Sequence, residues 1–105
     1  MAVVDQTRGD DMYARIVRFT DVDPEHMKNR VENRIEEGGA PEGVTAAGIQ
    51  VLHDADQRTA VVIQLFDSAE DMSASEAALA GMDPSETPGT RASVDRCEIK
   101  VDLRL

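Results

Sequence analysis

The residues of this 105-residue chain with most chemical potential are polar groups set among apolar ones. Gln64 interrupts the alternation Ala60, Val62, Phe66 on a strand-like segment, and a buried amide needs hydrogen-bond partners. Ser75 falls within the inner stripe of a helical segment, beside Met72, whose flexible thioether suits an adaptable pocket. Tyr13, Arg15 and Gln50 add a phenol, a cation and an amide on strand positions near the centre of the chain's sheet. An apolar cavity with a few convergent polar groups is the composition of a small-molecule site. The same residues also fit a purely structural role: Ser75 bonding a carbonyl one turn back, and Arg15 and Gln64 pairing across a subunit interface. Both sides of the first strand are largely apolar, so strand parity leaves open which face carries Tyr13 and Arg15.

Other constellations are missing. The two histidines, His26 and His53, sit on different elements with no cysteine partner nearby, so no metal site is expected. A helical wheel turns His26 away from its helix's apolar stripe and toward water, and Asn33 also projects outward. His53 ends a strand beside a turn and is the one residue a small isomerase or lyase would use as base. Cys97 alternates with Ile99, Val101 and Leu103 and reads as a small buried hydrophobe. Glu98 and Asp102 interleave with Arg96, Lys100 and Arg104, which is the pattern of a salt-bridge ladder rather than of an acid–base dyad. Gly38-Gly39 follows a helix instead of preceding one, so it is no phosphate loop.

The elements that must position these groups follow from periodicity and turn chemistry. Residues 1–11 read as a flexible tail and 12–105 as a single domain. Met12 to Thr20 is a strand, and Asp23-Pro24 opens a helix with Met27, Val31 and Ile35 as its stripe. That helix stops at Gly38-Gly39 and Pro41. Strands over about Thr45 to Asp54 and Thr59 to Phe66 form a hairpin. Asp67 and Ser68 cap a second helix whose inner stripe is Met72, Ser75, Leu79 and Met82. A loop over 83–90 leads to a last strand, Ala92 to Arg104. The order βαββαβ with right-handed crossovers implies an α+β, ferredoxin-like domain: an antiparallel sheet in order 4-1-3-2 with both helices on one face.

Composition excludes whole classes of function. Lysine and arginine total 11 against 21 aspartates and glutamates, a net charge of −10 that repels nucleic acid and anionic lipid. No apolar run approaches a bilayer span and no signal-peptide core is present, so a cytoplasmic protein without membrane contact is expected.

Three stretches carry a resemblance to a known group. Tyr13-Ala-Arg-Ile-Val-Arg-Phe19, Gly48-Ile-Gln-Val-Leu-His-Asp54 and the junction Leu65-Phe-Asp-Ser-Ala-Glu-Asp-Met-Ser-Ala-Ser-Glu76 resemble the antibiotic-biosynthesis-monooxygenase-like superfamily of dimeric α+β barrels. The closing alternation from Ser93 to Val101 fits as well. The resemblance spans Met12 to Leu105 and implies a homodimer with a small apolar or aromatic metabolite held between helices and sheet. Its haem-degrading members use a histidine on the second helix; Ser68 to Met82 has none, so no haem and no other cofactor is expected. Two functions remain in view, a non-catalytic binding domain and a cofactor-independent monooxygenase of an aromatic substrate. Strands one and three are apolar on both faces, and two helices cover only one, so a sheet-to-sheet homodimer is expected.

Overall fold

The computed structural model describes residues 12–38, 43–81, 87–103 and 105. Six elements follow in the order β1 (Tyr13–Thr20), α1 (Pro24–Glu37), β2 (Gly48–Asp54), β3 (Thr59–Phe66), α2 (Ala69–Ala80) and β4 (Thr90–Glu98). The strands form one antiparallel sheet in the order β2-β3-β1-β4, the ferredoxin-like arrangement the sequence implies. The expected tail and the residues Gly39, Pro41, Met82 and Arg104 lie outside the described residues.

Local chemistry explains the boundaries. Asp23 occupies the N-cap of α1, but its side chain makes no capping bond; Pro24 supplies the helical start. Gly38 ends α1 in the left-handed conformation, and its N–H donates to the Arg34 carbonyl. Ser68 caps α2 in full, its Oγ accepting from the Asp71 N–H at 3.1 Å, with Glu70 and Asp71 in the first turn. The β2–β3 turn is closed by the Asp54 carboxylate, which accepts from the Gln57 N–H and side-chain amide. Those two bonds hold the Asp54 pKa below its ordinary value.

Pairing register decides which residues share a face. Arg15 lies opposite Gln64, and Val17 opposite Val62, so Tyr13, Arg15, Val17 and Phe19 face the helices together with Ala60, Val62, Gln64 and Phe66. Two apolar clusters form on this side. One joins Val17, Phe19, Val22, Ala60 and Met27 of α1; the other joins Phe66 to Met72 and Leu79 of α2. The opposite side carries Ala14, Ile16, Val61, Ile63 and Leu65, with Leu52 exposed at its edge, and no described element covers it.

Three expectations change. β4 stops at Glu98, because β1 begins at Tyr13 and offers no partner beyond the single bond from Ile99 N–H to the Met12 carbonyl. Val101 and Leu103 are therefore exposed outside the sheet. Cys97, opposite Ala14, lies on the uncovered side and is exposed rather than buried. Third, the α1 stripe does not stay on the sheet: Met27 is 3% exposed, Val31 38% and Ile35 74%. The helix diverges from the sheet along its length. No described helix is long and apolar enough to cross a membrane.

The turn into β4 is packed against the end of β1. A Cβ on Gly89 would run into the Thr20 carbonyl oxygen and close on Val22. Gly89→Ala should therefore cost about 1–3 kcal/mol, the range for overpacking a tight contact. Urea unfolding of the variant beside the parent chain measures it, and an unchanged midpoint would show that the loop yields freely.

Candidate functional site

The divergence of α1 opens a cavity of about 300 Å³ between that helix and the sheet. Its floor is Arg15, Val17 and Phe19 of β1, Val62 and Gln64 of β3, and Ile49 and Val51 of β2. Met27, Val31 and Ile35 of α1 form the facing wall, with Arg30 and Arg34 beside them. Leu79, Thr87, Pro88 and Arg91 close the end. The volume sits at the small end of the range for metabolite sites.

The floor is polar at its centre for a reason that begins in the strand register. Arg15 is 2% exposed, and a buried guanidinium must be neutralised. Glu76 of α2 does this: its Oε2 lies 3.1 Å from Arg15 Nη2 and 3.2 Å from Nε. Its other oxygen accepts from Arg96 Nε at 2.6 Å. Between two arginines the Glu76 carboxyl is held down from 4.5 to about 2, chiefly by the Arg96 hydrogen bond and then by Arg15, against partial burial. Arg15 Nη1 also reaches toward Gln64 Oε1 at 3.5 Å, the limit of a hydrogen bond. Gln64 is itself buried and lines the cavity floor, and among the described residues no buried side-chain N or O lacks a partner.

The candidate residues divide between three places. Arg15 and Gln64 line the cavity together. Tyr13 and Met72 belong to the neighbouring cluster around Phe66, and Ser75 of α2 is fully buried with its Oγ accepting from the Thr45 N–H at 2.9 Å. Gln50, opposite Ile63, lies on the uncovered side of the sheet and is exposed. His53 is exposed at the end of β2 and does not line the cavity. His26 does not face water as the wheel implied: its Nε2 donates to the Thr87 carbonyl at 2.9 Å, tying α1 to the loop before β4. The charged ladder is partly different too. Arg96 turns to Glu76, and Glu98 pairs with Lys100 at 2.7 Å.

Arg30, Arg34 and Arg91 were not foreseen as site residues. The signal was present in the four-residue spacing His26, Arg30, Arg34, which runs beside Met27, Val31, Ile35 and widens the inner face of α1. Among the described residues no group of three or more histidine, cysteine, aspartate or glutamate side chains is placed to hold a metal ion. Compared with known proteins, the chain matches no protein-family model and no curated protein sequence.

The Glu76 pairing predicts an acid-sensitive stability. Its folded pKa lies below the ordinary value, so the contribution is complete above about pH 4.5 and is lost as pH falls toward about 2. Because the carboxylate is partly solvated, the amount is about 2–3 kcal/mol. Glu76→Gln should remove that acid limb and also destabilise the neutral-pH fold by leaving Arg15 without a counter-charge. Urea midpoints from pH 2 to 6 for both proteins check it; parallel curves would sink the assignment.

Proposed function

We propose that this chain is a small dimeric α+β barrel protein that binds a small apolar or aromatic metabolite between α1 and the sheet. The observation that carries the reading is the cavity itself, apolar over most of its lining with Arg15 and Gln64 side by side on its floor. The resemblance of Tyr13–Phe19, Gly48–Asp54 and Leu65–Glu76 to the antibiotic-biosynthesis-monooxygenase-like superfamily supports the same placement of a ligand. Binding is favoured over catalysis because the described lining holds no carboxylate, imidazole or phenol to take a proton. One observation favours a cofactor-independent monooxygenase as a second reading: guanidinium and amide donors facing the cavity would stabilise an aromatic substrate in its anionic form. Oxygen consumption dependent on an added aromatic phenol would move the assignment to that reading.

The proposal includes a second copy of the chain seated on the uncovered side of the sheet. Ile16, Val61, Ile63 and Leu65 stand there half-buried, with Leu52 exposed beside them. Each such side chain gains roughly 1.5–3 kcal/mol on full burial. Arg18 and Asp95 lie on the same side with opposite sign, which suits a two-fold contact in which a patch meets itself. The small acidic domain would then be a cytoplasmic dimer.

Two measurements test the two halves of the reading. Sedimentation equilibrium at micromolar concentration should give twice the 11.4 kDa chain mass, and a folded monomer would refute the dimer. For the cavity, the neutral fluorophore N-phenylnaphthylamine should bind the parent protein and lose at least about tenfold in affinity on Val51→Trp, whose indole fills the space. Circular dichroism confirms that the variant folds. Binding that survives the substitution would place the probe elsewhere and remove the support for a ligand site.

A further inference from the structure

Resting on that reading of the cavity, we infer that its ligand is an organic anion: an apolar body carrying a carboxylate or an equivalent acidic group. The chain as a whole has 21 acidic side chains to 11 basic ones, yet the cavity inverts that ratio. Four arginines line it, and no aspartate or glutamate does among the described residues.

The four are not equivalent. Arg15, at the floor, is already neutralised by Glu76. Arg91 donates through Nη2 to the Leu79 carbonyl at 3.1 Å, a bond that positions the guanidinium but leaves its charge unbalanced. Arg30 is half-buried, and among the described residues it has neither a hydrogen-bond nor an ion-pair partner. Arg34 stands one helical turn beyond it on the same side of α1. The geometry thus provides an apolar slot between Val31, Val51 and Val62, an amide donor at its base and a cationic rim along α1. A planar fork of donors at such a rim matches a carboxylate in two parallel hydrogen bonds. Partial burial strengthens that attraction over what a surface arginine supplies. The net charge of −10 makes the preference diagnostic, since anions are repelled from the rest of the surface.

The test compares two fluorophores that differ by one anionic group, anilinonaphthalene sulfonate and its neutral parent N-phenylnaphthylamine, on the full chain. The anionic probe should bind the parent protein at least about tenfold more tightly than the neutral one. Arg30→Glu should weaken the anionic probe by about tenfold or more, and by clearly more than it weakens the neutral probe. Val51→Trp should weaken both. Equal affinities, or an anion preference that survives Arg30→Glu, would overturn the charge assignment while leaving the cavity as a neutral-ligand site. Failure of both probes to bind would overturn the assignment together with the reading it rests on.

Discussion

A guanidinium buried on a central strand is the constraint from which the asymmetry of this molecule follows. Arg15 lies in the middle of β1, with β3 on one side and β4 on the other, and is almost completely removed from water. Leaving it unpaired would cost several kcal/mol. The nearest remedy is a carboxylate from the helix packed above, and Glu76 supplies it. Its second oxygen is taken by Arg96 from the neighbouring strand, so one carboxylate joins α2, β1 and β4. Leu79 and Met72 then seat on Phe66 at fixed positions along the helix. The docking of α2 is thus ionic at its centre and apolar to either side.

α1 is held mainly at its start. Its grip on the sheet is Met27 in the first cluster, and His26 holds the same end to the Thr87 carbonyl. Beyond that turn the helix has Val31 and Ile35 to offer, both substantially exposed. Because the stripe is buried at its start and increasingly exposed beyond it, the helix leaves a wedge beneath it, and the cavity is that wedge. Arginine suits its walls because the aliphatic stems add to the apolar lining while the charged ends reach the rim.

The order of elements and the two-faced character of β1 and β3 were legible because period-two and four-residue apolar patterns survive in the sequence. What periodicity could not resolve was decided by partners. Parity leaves the face that carries Tyr13 and Arg15 open, since Ala14 and Ile16 are apolar as well; the contact of Arg15 with Glu76 of α2 puts that face under the helices. The alternation after Cys97 reads as strand out to Arg104, but a strand is only as long as its neighbour, and β1 starts at Tyr13. His26 turns inward because the inner face of α1 is wider than its apolar stripe. The loop from Thr87 to Gly89 packs against the adjoining stripe and turns it inward. The spacing His26, Arg30, Arg34 marks that second stripe, but the loop that covers it is 61 residues from His26 and leaves no local sign of the contact.

The two faces of the sheet interleave along the same strands, and this gives the buried ion pair a further consequence. Arg15 and Gln64 face the cavity while their neighbours Ile16 and Ile63 face the uncovered side. A slip of β1 by one residue would exchange these sets, moving Arg15 to the apolar outer face and Ile16 beneath α2. Apolar patterning alone resists that slip weakly, because both faces are rich in Val, Ile and Ala. What distinguishes them is that Glu76 stands over only one face. The slipped register would strand its carboxylate beside a hydrocarbon and leave the guanidinium without its counter-charge. The ion pair therefore sets the register of β1 as well as docking α2, and through that register it determines which side of the sheet holds the cavity.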